Sequence, residues 1–219
     1  AMKAMYYACI SYIDYQVGRI LEALGDEIDN TLIVYSSDHG ELLGDYGCVG
    51  KRCMLDAACR VPMLMRAPGR IAAGGRCGAP VSLLDVAPTF LSAAGVDDYR
   101  ICDEGEDLAK IADGGAATSG DDGRIVYSQF QRGKYGLYMA ADATGKYIYS
   151  APDRREWFFD RQVDAGESRN LAGNIAHHAH MQRLKSSLIA RFERDEYPGV
   201  EAGDWRPLSQ PQFPTEPDE

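Results

Sequence analysis

No stretch of this sequence is apolar for long enough to cross a bilayer. The longest apolar runs, such as Val61 to Met65, fall far short of the ~20 residues a membrane helix needs, which predicts no membrane partner. A basic excess is missing too: 23 Lys plus Arg stand against 33 Asp plus Glu, a net charge of −10. Without clustered cations to neutralise phosphates, nucleic acid is not an expected partner. No Cys-x-x-Cys pair occurs among Cys9, Cys48, Cys53, Cys59, Cys77 and Cys102, so a zinc ribbon or finger has no tight turn to build on. A chain of 219 residues can also bury a real core without disulfide staples. The cysteines are therefore expected as reduced, mostly buried thiols, which leans toward a cytoplasmic compartment. A periplasmic or secreted location stays open, because a leader upstream of Ala1 and Met2 is not tested by these residues. There is no internal repeat, and 45% apolar with 26% charged residues excludes disorder, collagen and coiled coil.

What is present reads as an α/β chain in two parts. Ile10, Ile13, Val17, Ile20, Leu21 and Leu24 paint one face of a helix over Tyr6 to Leu24, stopped by Gly25 and Asp26. Thr31 to Tyr35 is an unbroken β-favouring run, the pattern of a central parallel strand covered on both faces. Arg60 to Arg66 predicts a second strand, and Ser82 to Ala94 an amphipathic helix capped by Ser82 and closed by Gly95. Between Asp97 and Gly123 nine acids face only Arg100 and Lys110, so this segment alone carries −7 of the −10 and is expected to be a solvated connector with one helical turn near Glu106 to Ile111. Beyond it the period changes to two. Ile125 to Phe130, Tyr135 to Met139, Lys146 to Tyr149 and Trp157 to Phe159 predict a four-stranded antiparallel meander, covered on one face by a helix over Ile175 to Glu193. The proline-rich stretch from Tyr197 is expected to wrap the surface irregularly. The division that follows is 1–96 for the α/β core part, 97–123 for the connector, 124–196 for the sheet and helix, and 197–219 for the tail.

The chemistry concentrates in Ser36-Ser-Asp38-His39-Gly40-Glu41, directly after the first strand. Functional groups in open α/β sheets gather beyond the carboxyl ends of strands, and a carboxylate beside an imidazole can converge on one cation if the chain bends at once, as Gly40 permits. Glu41 and Asp45 read most simply as acids of a following helix's first turn. His177, His178 and His180 do not share one helical face and read as a solvated helix start. Asp14 reads as a cap or ion-pair residue of the first helix.

In order, Tyr12 to Leu21, Asp29 to Val34, Ser37 to Gly47, Lys51, Arg60-Val-Pro62, Ala67-Pro-Gly69, Ser82 to Thr89, Trp157 to Asp160 and Asp164 to Leu171 resemble the C-terminal half of a sulfatase of the alkaline phosphatase superfamily. Ala165 stands where that family has proline. The resemblance covers about residues 6–196 and implies the C-terminal part of an alkaline-phosphatase-like sandwich plus a small antiparallel four-stranded sheet with a C-terminal helix. It assigns Asp38 and His39 to a divalent metal, calcium first, with manganese and zinc open because an imidazole is less usual for calcium. It assigns Lys51 to the sulfate and leaving-group oxygen, where a fixed cation favours developing negative charge.

The family's nucleophile, a formylglycine made within a Cys/Ser-x-Pro-x-Arg motif of the N-terminal half, has no counterpart here. Ser150-Ala-Pro-Asp-Arg154 matches the spelling but falls in a turn between two aromatic strands. The resemblance therefore implies a fragment, inactive alone, of an enzyme hydrolysing aryl or carbohydrate sulfate monoesters. Its partners would be a sulfated small molecule or glycan and the missing N-terminal half of its own chain. Two alternatives stay open: a phosphonate monoester hydrolase, phosphodiesterase or phosphoethanolamine transferase of the same superfamily, and a non-catalytic binding module.

Overall fold

A computed structural model describes residues 2–96, 104–115 and 123–208. The predicted first helix is α1 (Met2–Leu24), which ends where Gly25 takes a left-handed φ of +50° into a 3-10 turn over Gly25–Asn30. Strand β1 (Ile33–Ser36) pairs with β2 (Met63–Arg66) in the register Ile33 to Arg66 and Ser36 to Met63. The pairing is antiparallel, which corrects the parallel expectation, and Tyr35 and Leu64 are exposed rather than buried. A continuous apolar run reports how much surface a strand can bury; it carries no information about the direction of its neighbour.

The third predicted element begins with a capping box: Ser82 Oγ accepts the Leu84 amide at 3.3 Å and Asp85 Oδ2 accepts the Ser82 amide at 2.7 Å. After the one-turn helix α2 (Asp56–Cys59) earlier in the chain, a turn at Leu83–Asp85 leads into α3 (Val86–Ala93), and the chain turns away at Gly95 with φ +74°. Asp85 is fully buried, and its other oxygen accepts Glu106 N at 2.9 Å and Arg124 Nη2 at 2.7 Å. The described middle of the acidic stretch is therefore only partly solvated: Glu104 and Glu106 are exposed, but Asp107, Leu108 and Ala109 that follow are not. Asp107 is buried against Arg70 at 3.0 Å, and α4 (Leu108–Gly115) buries Leu108, Ala109 and Ile111. Arginines from either side supply the counter-charge that counting acids within the stretch leaves out. Residues 97–103 and 116–122 lie outside the described residues.

The second sheet holds β3 (Val126–Phe130), β4 (Leu137–Ala141), β5 (Gly145–Ser150) and β6 (Arg155–Asp160) in sequence order, antiparallel throughout, as the period-two pattern predicts. Alternation along its strands divides two cores. Tyr138, Ala140, Tyr147, Tyr149 and Phe158 face α5 (His178–Arg194), which answers with Met181, Leu184, Leu188 and Phe192. Met139, Ala141, Ile148 and Phe159 face the other way and are covered by Met54, with Leu55 and Cys59 beside it. The connection between β1 and β2 thus shares a core with the second sheet.

Three further expectations need correction. The stretch after Tyr197 is regular as far as it is described: β7 (Val200–Glu201) and β8 (Asp204–Trp205) form a hairpin, and Trp205 stacks on Tyr149 with ring centroids 4.0 Å apart. Residues 209–219 lie outside the described residues. The cysteines are free but not mostly buried, since Cys9, Cys48 and Cys77 are exposed and Cys53 and Cys59 half-buried; Cys102 is outside the described residues. His180 is also more than a solvated start: its Nε2 lies 2.6 Å from the buried Asp142 carboxylate, which Arg183 joins.

Trp205→Ala should cost about 3 kcal/mol, because it removes the stack on Tyr149 and the indole N–H bond to Tyr147; urea unfolding followed by far-ultraviolet circular dichroism reads this. Asp142 generates a pH prediction. Burial opposes its ionisation, but bonds from His180, Thr144 N and Gly145 N outweigh it and hold the carboxyl below the usual aspartate value. A depressed folded pKa contributes stability above the unfolded value that is lost as pH falls through the folded one. Unfolding free energy should therefore drop on acidification below about pH 4, and Asp142→Asn should flatten that limb.

Candidate functional site

Asp38 and His39 emerge at the end of β1, and the chain bends at Gly40. The Gly40 amide donates to Ala58 O at 2.7 Å, and a Cβ at position 40 would lie 2.0 Å from Ala57 O. Only glycine lets α2 come this close, so the bend and the neighbouring helix are fixed together. His39 Nδ1 lies 2.8 Å from Gly40 O. A carbonyl can only accept, which puts the proton on Nδ1 and leaves the lone pair on Nε2. That nitrogen faces two groups: the Lys51 ammonium, in direct hydrogen-bond contact, and Asp38 Oδ2 at 3.4 Å.

The Asp38 side chain is 84% exposed, and its Oδ1 accepts the His39 amide at 2.9 Å. That amide bond, ahead of the charge of Lys51, holds its carboxyl below the ordinary aspartate value. The pair offers a cation one carboxylate oxygen and one imidazole lone pair, donors of the right chemistry for a divalent metal. Among the described residues no group of three or more His, Cys, Asp or Glu could hold a metal ion.

Lys51 reaches this point although it lies twelve positions beyond His39. The loop between them closes on itself: Leu42 N donates to Gly50 O at 2.9 Å and Gly44 N to Cys48 O at 2.8 Å. Gly44, Gly47 and Gly50 take φ of +97°, +70° and +91°, conformations a side chain would strain. Glu41 is the clasp, accepting the Gly50 amide at 2.5 Å and the Leu43 amide at 3.2 Å, and these bonds hold its carboxyl below the ordinary glutamate value. The expectation of a helix first turn is corrected at Glu41, since no helix starts there, whereas Asp45 opens a 3-10 turn over Asp45–Gly47.

Sequence reasoning missed the residues that hold this loop from the other sheet. Tyr46 OH donates to Gly166 O at 2.6 Å. Glu167 Oε2 accepts the Asp56 amide at 2.6 Å at the start of α2, and its Oε1 lies 2.5 Å from the buried Lys146 ammonium. A lysine inside an aromatic strand was the available signal, because an uncompensated charge there would be expensive. Ser150, by contrast, is buried at the end of β5 with Arg154 in the following turn, away from Asp38 in the other sheet.

Glu41→Ala should speed hydrogen exchange at the Gly50 and Leu43 amides and leave the strand amides of β4 and β5 unchanged; equal rates in variant and parent would remove Glu41 as the clasp.

Comparison with known proteins adds the family. The Sulfatase family model matches residues 1–96. Choline-sulfatase of Rhizobium meliloti is 33% identical over 177 residues, which is 78% of this chain and 33% of that protein. A solved complex of a protein with its substrate D-glucosamine-2-N,6-O-disulfate superposes with a TM-score of 0.71 at 27% identity, covering 85% of this chain and 39% of that one. The phosphonate monoester hydrolase of Silicibacter pomeroyi does so with a TM-score of 0.69 at 28% identity, covering 90% and 42%. The chain spans about a third of the length of the curated relatives it matches. The ordered motifs, the antiparallel sheet with its covering helix and these likenesses agree: the chain belongs to the sulfatase family of the alkaline phosphatase superfamily.

Proposed function

We propose that these residues form part of the active site of a sulfuric ester hydrolase acting on sulfate monoesters of small molecules or glycans. The observation that carries the reading is the convergence of the Lys51 ammonium on His39 Nε2 beside the exposed Asp38 carboxylate. Asp38 and His39 would hold the divalent metal, calcium first by its preference for carboxylate oxygen, and a bound cation would supply Lewis-acid stabilisation of charge on the sulfate oxygens. Lys51 binds a sulfate oxygen and stabilises the negative charge that grows on the departing oxygen. His39, its Nδ1 proton fixed on Gly40 O, keeps its Nε2 lone pair aimed at the site. By the family likeness the nucleophile would be a formylglycine supplied from outside these residues, on the N-terminal half that would complete the site. The 219 residues alone are then expected to turn over no aryl sulfate.

A second reading, hydrolysis of phosphonate monoesters, is favoured by the likeness to the Silicibacter pomeroyi enzyme. Both anions present oxygens to a cation and a metal, so the three residues do not discriminate between them.

In the complete protein, Lys51→Ala should lower kcat on an aryl sulfate by about 10²-fold or more while bound metal is retained. Asp38→Ala should lose metal, read by elemental analysis, and activity together. An active Lys51→Ala enzyme would end the assignment of Lys51, and a faster parent rate on a phosphonate monoester than on the sulfate would favour the second reading.

A further inference from the structure

Lys51 lies between two anchor points, and neither is made by its own sheet. On its N-terminal side the loop Leu42 to Gly50 carries Tyr46, a non-glycine residue held at φ +55°, whose hydroxyl donates to Gly166 O at 2.6 Å in the turn after β6. On its C-terminal side Lys51 O accepts Cys53 N at 2.9 Å, and the chain enters the buried Met54, whose carbonyl accepts the Lys146 ammonium at 3.2 Å. Two residues on, the Asp56 amide donates to Glu167 Oε2 at 2.6 Å, and the Asp56 carboxylate meets Lys146 directly. Tyr46 and Asp56 are thus fastened to one short turn, Asp164 to Glu167, and to the strand that carries Lys146. The same α2 that Asp56 begins is the one packed without clearance against Gly40, next to His39.

We infer that Tyr46, Glu167 and Lys146 are positioning residues for the Lys51–His39 pair, so that the second sheet and its following turn form part of the scaffold that sets the distance between the site's cation and its imidazole. The inference rests on the reading of Lys51 and His39 as site residues. Its physical basis is that a flexible four-carbon side chain can be aimed only by fixing the backbone at both of its ends. Tyr46 and Met54 to Asp56 bracket Lys51 on either side, and their tethers all run to residues more than ninety positions away.

The test uses the 219-residue chain and the His39 ring resonances in a proton–carbon correlation spectrum at one fixed pH, with His177, His178 and His180 as internal controls. Lys51→Met should displace the His39 signal, because the ammonium contact is gone. Tyr46→Phe, which removes one hydroxyl, should displace it part of the way in the same direction and leave the other three histidines in place. Combined with Lys51→Met, Tyr46→Phe should add no further displacement, the sign that it acts through Lys51. Glu167→Gln should behave likewise, and its thermal midpoint checks that the chain stays folded. An unmoved His39 in Tyr46→Phe, or a displacement that adds to that of Lys51→Met, overturns the inference while leaving the proposed function standing. An unmoved His39 in Lys51→Met overturns the pairing itself and the inference with it. The proposed function fails on a different readout, sulfate-ester turnover by the Lys51→Ala enzyme.

Discussion

An ammonium group with almost no contact with solvent sits where the two sheets meet, and much of the molecule is arranged around keeping it charged. Lys146 points from β5 into the space beneath Met54, among Asp56, Glu167 and Cys59. Burial alone would lower its pKa; the carboxylates facing it, Glu167 and Asp56, outweigh that and hold it above the ordinary lysine value. The Cys59 thiol is itself pushed up to about 11 by burial, so it stays neutral, and the compensating charge must come from carboxylates. Asp56 takes that role: burial opposes its ionisation, and the attraction of Lys146 with Arg161 and Arg60 overcomes it. Removing one member of such a cluster leaves its partner buried and unpaired, a larger penalty than the pair's net worth.

From that constraint the geometry of the site follows by short steps. Asp56 is the first residue of α2, so fixing its carboxylate and its amide fixes the helix's entry. The helix presents Ala57 O and Ala58 O to Gly40 at a distance that admits no side chain, which places the end of β1 and therefore Asp38 and His39. The two aspartates make the contrast plain. Asp56 is committed to structural cations in the interior, whereas Asp38 is exposed and satisfied on one oxygen only by its neighbour's amide. A carboxylate free of a guanidinium partner is the kind that can still bind an added cation.

How much of this was legible in the sequence depended on whether the determinant was local. The second sheet was, because Tyr138, Met139, Ala140 and Ala141 alternate and turn residues such as Asp142 to Gly145 punctuate the strands. The Ser82 cap was too, since the capping box lies within four residues. Strand direction was not, because the partner of Ile33 to Ser36 is set by a connection of more than twenty residues. The burial of Asp85 and Asp107 was hidden for the same reason: their arginines, Arg124 and Arg70, stand far away along the chain. For the candidate site, adjacency suggested Asp38 and His39 and resemblance suggested Lys51, and the structure brings the three side chains together. Tyr46 and Glu167 stayed invisible because their role is a relation between residues more than a hundred positions apart, and Lys146, conspicuous in its strand, has its partners Met54 and Asp56 about ninety positions away.

The contact between Lys51 and His39 also limits what the pair can do at once. With Nδ1 committed as donor to Gly40 O, the imidazole has one lone pair, and it serves either an N–H of Lys51 or a metal ion. On the proposed reading these are alternatives. A cation taking Nε2 would release the Lys51 ammonium, whose three donors would then face whatever anion accompanies the metal. A released lysine is useful only if its backbone does not drift when the imidazole lets go. The tethers through Tyr46, Met54 and Asp56 act on that backbone and not on the ammonium, so they would persist when the contact breaks. The scaffold in the second sheet is thus suited to a site in which one cation must exchange partners without leaving its place.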